Sequence, residues 1–191
     1  DDALAAADAG VSRVEIGCAP ELGGLTPTPG VVAGIADALA GTRIAIAVLI
    51  RPRAGGFCYS REDIDAMCLD IRLIAQGVDS VVFGALTEHG MLDLPATKAL
   101  VNTAQTLGLQ TVFHRAIDVC VDPDNALAQL ESLARDSQTP IARLQALASR
   151  RAARLAQLAE ALASGGWNFT FEPLALFTSI HFCRPVAVVP L

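Results

Sequence analysis

The feature that most constrains the fold is a repeated alternation of short apolar runs and helical segments. Apolar runs at 13–17, 44–50, 80–86 and 110–113 are each followed by a loop and then by a segment of helical pattern. Positions 15, 51, 84 and 114, within or just after these runs, are separated by 36, 33 and 30 residues. Such alternation predicts right-handed crossovers and a parallel sheet. The near-constant unit favours an α/β barrel, while a doubly wound parallel sheet stays open as an alternative.

Local signals indicate where the helices begin and end. Ser60 is predicted to be an N-cap, with Asp63 three positions later at the spacing of a capping box. Apolar residues then recur at helical spacing from Ile64 to residue 74. Pro123 predicts the start of a further helix that reaches about Leu133.

Composition and charge exclude several classes of protein. With 52% hydrophobic and 18% charged residues the chain is not a disordered one. A net charge of −6 without a long basic run argues against a nucleic-acid partner or an anionic membrane surface. No apolar stretch approaches the roughly 18 residues of a membrane span. Five cysteines without a C-x-x-C pair favour a reducing, cytoplasmic location over a disulfide framework.

Polar residues gather where the apolar runs end. Ligands bind at the carboxyl ends of strands in α/β barrels and open α/β sheets, so these residues are the candidate site. A glutamate within a short apolar strand needs a partner, and arginines at the same end can supply one while also holding an anion. The candidates are Glu15, Arg51, Arg53, Tyr59, His114, Arg115 and Asp118.

Structural roles compete with these functional ones. Glu15 with Arg51 or Arg115 is equally interpretable as an ion pair that closes the interior of the sheet. His114 fits a general acid or base, a metal ligand or a packed side chain, and Tyr59 fits loop packing. Cys18 and Cys58 follow strand ends, where thiolates could bind Cu(I), although inert thiols are the alternative.

Four ordered blocks of sequence coincide with these strand ends and together resemble the CutC family, named for copper homeostasis. The match extends over residues 1 to about 133. The blocks are Arg13-Val14-Glu15-Ile16 with Gly23-Gly24-Leu25-Thr26-Pro27, Ile50-Arg51-Pro52-Arg53 with Phe57-Cys58-Tyr59-Ser60, Val82-Phe83-Gly84, and Phe113-His114-Arg115-Ala116 with Asp118.

The resemblance implies a TIM (β/α)8 barrel, present here in part. It implies that the recognisable strands are about the second to the fifth, with the first lying before Asp1. We expect a partial barrel over 1–133 and a divergent segment over 134–191, where the family's later strand ends are not recognisable and a frameshifted reading is one hypothesis. The chain's 191 residues are also short of the roughly 250 of a whole barrel. The family pattern commonly has cysteine where this chain has Gly17, so Cys18 lies one position late for a copper site.

Three functional hypotheses follow from the sequence and its resemblance. The first is a cytoplasmic copper-homeostasis protein that binds Cu(I) through Cys18 and Cys58. The second is a TIM-barrel enzyme for a small anionic metabolite, whose acid–base group is Glu15 or His114, with Asp118 nearby. Its anion clamp would be Arg51, Arg53 and Arg115, beside Tyr59. The third is a non-functional fragment with exposed sheet edges. Association into a homo-oligomer would cover those edges.

Overall fold

Parallel strands form the central sheet of the computed structural model, which describes residues 2–137 and 187–190. Five strands pair within these ranges in the order β4-β3-β2-β1-β5, and every pairing is parallel. Their bounds are β1 Arg13–Gly17, β2 Ala45–Leu49, β3 Ser80–Phe83, β4 Gln110–Phe113 and β5 Ala187–Pro190. The four strands predicted from the sequence are therefore confirmed, with the second and third slightly shorter than their apolar runs.

Helices alternate with the strands, as the repeat predicts. Short 3₁₀ helices also follow two of the strands, Pro20–Leu22 after β1 and Arg115–Val119 after β4. The α-helices are α1 Asp2–Asp8, α2 Pro29–Ala38, α3 Arg61–Ile74, α4 Leu94–Thr106 and α5 Pro123–Ser137. Among the described residues, no helix is both long and apolar enough to span a membrane.

The start of α3 forms the predicted capping box. The Ser60 hydroxyl accepts a hydrogen bond from the Asp63 backbone N–H, and the Asp63 carboxylate accepts one from the Ser60 backbone N–H, both at 3.1 Å. Two N–H groups that the first helical turn leaves without partners are thereby satisfied. This cap fixes where the loop after β2 ends, and that loop carries several candidate site residues.

The two faces of the sheet have different roles. Val14, Ile16 and Val48 belong to the large buried cluster that the helices cover. Residues one position away point to the opposite face, because side chains alternate along a strand. That second face carries a smaller buried cluster of Ala47, Leu49, Val82 and Val112.

The candidate site continues the second face beyond the strand ends. The ladder extends past the last strand residues, since the Ile50 N–H donates to Val82 and the His114 N–H donates to Phe83, each at 2.8 Å. Counting on by two from Leu49 and Val112 therefore places Arg51 and His114 on the same face. The strand period thus determines which polar residues lie over this end of the sheet.

The end of the chain adds a strand that sequence patterning did not predict. No strand is predicted within the divergent segment over 134–191, yet β5 lies in it and pairs with β1, with Val14 opposite Ala187 and Gly17 opposite Pro190. Unpaired N–H and C=O groups on the far edge of β1 favour such an addition, and Pro190 is tolerated because it ends an edge strand. The helical sequence pattern over 152–163 lies outside the described residues, as do all of residues 138–186 and residue 191.

Candidate functional site

Arg51 is a buried hub that joins two loops. Only 4% of its surface is exposed. Its Nη1 donates to the carbonyls of Leu22 and Gly24, each at 2.9 Å, and its Nη2 donates to the carbonyl of Gly55 at 2.6 Å. Planar guanidinium geometry suits such divergent bonding, because its five donors lie in a fixed fork. Arg51 therefore holds the loops after β1 and β2 together through their carbonyls. Its predicted roles in an ion pair with Glu15 and in an anion clamp stay predictions.

Arg115 reaches the same loop from the end of β4. Its Nη2 donates to the Gly23 carbonyl at 2.8 Å, so arginines from two strands bind three successive carbonyls at residues 22–24. Gly23 has φ +82°, and a Cβ there would collide with the Arg115 guanidinium and lie 3.2 Å from Nη1 of Arg51. Burial, and then the neighbouring Arg51 cation, lower the pKa of Arg115. The two cations are therefore close enough to interact electrostatically around one glycine.

His114 is held as a neutral imidazole. Its Nδ1 accepts a hydrogen bond from the Ala116 backbone N–H at 3.2 Å. Burial, and then the Arg115 and Arg51 cations, lower its pKa from the ordinary 6.5 to about 3. A histidine with this pKa carries no charge at neutral pH.

Aromatic rings pack around the arginines and the histidine. Phe57 lies with its ring 5.3 Å from Cζ of Arg51 and 4.8 Å from the ring centroid of His114. Only 9% of the surface of Tyr59 is exposed. Burial raises the pKa of its hydroxyl, and the nearby Arg51 cation offsets part of this increase. Neither the Tyr59 hydroxyl nor Nε of Arg51 completes a hydrogen bond of regular geometry within the described residues.

Arg53 points into its own loop and helix. Its Nε donates to the Asp63 carboxylate at 2.9 Å, its guanidinium donates to the Cys58 carbonyl at 2.7 Å, and it lies 5.2 Å from the Tyr59 ring. The Ser60 N–H and the Arg53 guanidinium lower the pKa of Asp63. Arg53 thus braces the capping box, and its place in an anion clamp stays a prediction.

The two acidic candidates, Glu15 and Asp118, lie on β1 and on the 3₁₀ helix after β4. Glu15 lies on the second face of β1, half-buried, in register with Ala47 of β2 and Val188 of β5. Asp118 is exposed on the 3₁₀ helix that follows His114, close enough to Arg115 to raise the pKa of that arginine. Their predicted acid–base roles stay predictions.

The two cysteines of the predicted copper site occupy different environments. Cys18 is partly buried, and its thiol donates to the carbonyl of Thr26 at 3.2 Å. Cys58 is exposed, and its backbone bridges to Leu86 beyond β3. Both thiols are free and follow strand ends. Across the part of the chain that the structure describes, no cluster of three or more His, Cys, Asp or Glu side chains could hold a metal ion.

Sequence reasoning missed the glycines and the phenylalanine that shape the site. Gly84 leaves room for His114, since a Cβ there would lie 2.5 Å from Nδ1 and 2.9 Å from Cβ of Ala116. Phe57 packs near both Arg51 and the histidine ring. The available sequence signal was that Gly84 directly follows a buried strand. A glycine at such a position indicates that another group approaches the backbone closely.

A sheet of parallel strands that alternate with helices places the chain among the α/β proteins. The model of the CutC family matches residues 1–164. The chain belongs to the CutC family.

Relatives and a solved structure agree with this membership. A CutC family protein of Bacteroides thetaiotaomicron is 42% identical over 134 residues, which is 70% of this chain and 52% of that protein. One from Xanthomonas campestris is 44% identical over 126 residues, covering 65% of this chain and 50% of its own. The crystal structure of a Streptococcus agalactiae CutC, named for a proposed role in copper homeostasis, is 36% identical with a TM-score of 0.60. That alignment covers 64% of this chain and 59% of the other. The chain thus spans about half the length of the curated relatives it matches.

Proposed function

We propose that this chain forms part of a TIM barrel that acts in cytoplasmic copper homeostasis by binding Cu(I). Four parallel strands alternating with helices are the arrangement that begins such a barrel. The copper role is suggested by the name of the Streptococcus agalactiae relative. A barrel over 1–133 and a divergent segment over 134–191 remain part of this proposal.

The observation that carries the copper proposal is the pair of free thiols at one end of the sheet. Cys18 and Cys58 follow β1 and β2, which are neighbours in the sheet. Thiolates are soft ligands that select Cu(I). Cys58 is exposed and open to an incoming ion, whereas the Cys18 thiol would exchange its hydrogen bond to Thr26 for the metal. The copper ion is cargo in this proposal.

Titration with Cu(I) tests the ligand assignment. The protein competes with a coloured Cu(I) chelator under anaerobic, thiol-free reducing conditions. We expect one tightly bound ion per chain. Cys18→Ser with Cys58→Ser should weaken binding by more than the roughly 10- to 100-fold caused by loss of an outer-shell partner.

Buried thiols provide the matched control. Cys68 and Cys120 are 8% and 7% exposed, so Cys68→Ala with Cys120→Ala should leave Cu(I) binding unchanged. Equal losses in the two double variants, or unchanged binding in the first, would overturn the assignment of Cys18 and Cys58.

A second candidate is an enzyme that acts on a small anionic metabolite at the same end of the barrel. The observation that favours it is the meeting of the Arg51 and Arg115 guanidinium groups around Gly23, beside a histidine that carries no charge. Charged donors fixed in a partly buried site stabilise a bound anion and a developing negative charge. Glu15 and His114 are the candidate acid–base groups.

Thermal stabilisation by small anions tests this second function. Arg115→Gln is the informative variant, because Arg51 holds three loop carbonyls and its removal would disturb the fold. An anion that raises the melting temperature of the wild type should have little effect on Arg115→Gln. The exposed Arg72→Gln on α3 serves as the control for lost charge. A shift that both variants retain would count against the anion clamp.

A further inference from the structure

We propose that His114 is a neutral hydrogen-bond donor through Nε2–H, and that it contacts a small oxyanion, a carboxylate or a phosphate group. This inference rests on the second candidate function and identifies its ligand class. It changes the role predicted for His114, since a donor of this kind polarises an oxygen instead of removing a proton as a base.

Hydrogen bonding determines which ring nitrogen carries the proton. The Ala116 N–H donates to Nδ1, so Nδ1 uses its lone pair as the acceptor. In a neutral imidazole the proton is then on Nε2. Nε2 is buried and has no hydrogen-bond partner in the part of the chain that the structure describes. A buried donor without an acceptor costs free energy that a bound oxygen would recover.

The ring cannot easily turn away from this orientation. Gly84 lies directly beneath it, with no room even for a methyl group next to Nδ1. Phe57 packs on it at 4.8 Å with the planes tilted by 58°, and Phe113 contacts it edge-on at 6.2 Å. The orientation is therefore determined by packing on several sides as well as by the bond to Ala116.

Other polar groups lie at the same end of the sheet. Five buried side-chain polar atoms of the described residues complete no hydrogen bond of regular geometry, and three of these are Nε of Arg51, the Tyr59 hydroxyl and Nε2 of His114. Arg51 and the Tyr59 hydroxyl are close enough to interact with each other. All three can donate hydrogen bonds. A carboxylate or phosphate group offers several acceptor oxygens together with the negative charge that two nearby guanidinium groups favour. A neutral or cationic ligand fits this combination poorly.

Burial, and then two neighbouring cations, lower the pKa of His114 and keep it neutral throughout the working range of pH. The charged groups that face the ring are Arg115, which follows it, and Arg51 from the end of β2. Both disfavour a third positive charge. An anion bound between them would therefore meet a hydrogen-bond donor whose protonation does not change between about pH 5 and 8.

Anion binding by the full chain, measured by calorimetry, tests the inference. Sulfate represents a tetrahedral oxyanion and formate a carboxylate, and neither changes its charge between pH 5 and 8. His114→Phe keeps an aromatic ring but removes the donor, and should weaken binding of the preferred anion about 5- to 10-fold, the value of one hydrogen bond. His114→Gln keeps an N–H near the position of Nε2 and should retain most of the affinity. Wild-type affinity should stay constant between pH 5 and 8.

Four results would contradict the inference in distinguishable ways. Equal anion affinity of the wild type and His114→Phe would exclude His114 as a donor to the anion, while the anion site itself would remain supported. Affinity that rises steeply below pH 6.5 would show that a charged imidazolium is the ligand partner. Failure of both anions to bind the wild type would overturn the anion site and this inference together. Nitrogen NMR of labelled histidine reports the tautomer independently, and a proton on Nδ1 would contradict the assignment.

Discussion

Arg51 and Arg115 bind successive carbonyls of one loop although they extend from strands that are not neighbours. Arg51 bonds to Leu22 and Gly24 from the end of β2, and Arg115 bonds to Gly23 from the end of β4. The loop after β1 is thereby drawn across the end of the sheet. Each arginine is thus a structural brace and, at the same time, a source of positive charge at the candidate site.

Replacing Gly23 tests how closely the two cations approach. Gly23→Ala should destabilise the protein by about 2–4 kcal/mol, because it adds backbone strain at φ +82° to a collision with the Arg115 guanidinium and a tight approach to that of Arg51. Urea unfolding measures the change. Gly41→Ala is the matched control, since Gly41 has φ +80° but open space around its Cβ position. Equal losses in the two variants would show that backbone strain alone matters.

Replacing the Arg51 guanidinium by an amine should weaken the connection between the loops after β1 and β2. Arg51→Lys retains the charge but cannot reach all three carbonyls at once, so we expect a loss of about 3 kcal/mol in the free energy of unfolding. Arg53→Lys provides the comparison. Its side chain is 44% exposed and its ion pair to Asp63 lies at the surface, so the expected loss is below about 1 kcal/mol. The reverse ranking would contradict the assignment of Arg51 as the hub.

The capping box of α3 makes a separate contribution. Ser60→Ala removes the acceptor for the Asp63 N–H and should cost about 1 kcal/mol. Thr in place of Ser60 keeps a hydroxyl and should restore most of the stability. Urea unfolding of the two variants beside the wild type gives the comparison, and equal stability of the alanine and threonine variants would exclude a capping role.

The depressed pKa of His114 predicts how stability depends on pH. The imidazole has a pKa of about 3 in the folded protein against an ordinary value of 6.5, so below pH 6.5 the unfolded chain takes up a proton that the folded protein does not. Its contribution is fully present above pH 6.5 and decreases as pH falls towards 3, by at most about 1.4 kcal/mol per pH unit. Unfolding of the wild type and His114→Gln at several pH values isolates this effect. Parallel profiles would contradict the neutral histidine.

Thiol accessibility gives a direct check on the cysteines. Cys58 is exposed, whereas Cys68 and Cys120 are buried, so a thiol reagent should modify Cys58 in the native protein much faster than either buried cysteine. Mapping of modified peptides by mass spectrometry identifies the site. Only thiols that a reagent can reach are available to an incoming ion, so protection of Cys58 would also weaken the copper proposal.

Particular residues show how far the sequence could be interpreted. The strand at 13–17, the cap at Ser60 and the polar ends at Arg51 and His114 follow from local pattern, because period, capping and turn chemistry act over a few residues. The strand at 187–190 was missed, since its partner β1 is far away in sequence and its own pattern is weak. The contact of Arg115 with Gly23, 92 positions apart, was equally beyond local reasoning.

The sequence by itself determined the alternation of strands and helices, the family, and the set of polar residues that arrive at the carboxyl ends of the strands. Only the tertiary structure decided what those residues do to one another. In the folded chain the Arg51 guanidinium donates to loop carbonyls and Arg53 pairs with Asp63. His114 is neutral and has a buried donor. The physical reason is that charge state and hydrogen-bond partners depend on burial and on neighbours brought from distant segments, which no local pattern encodes.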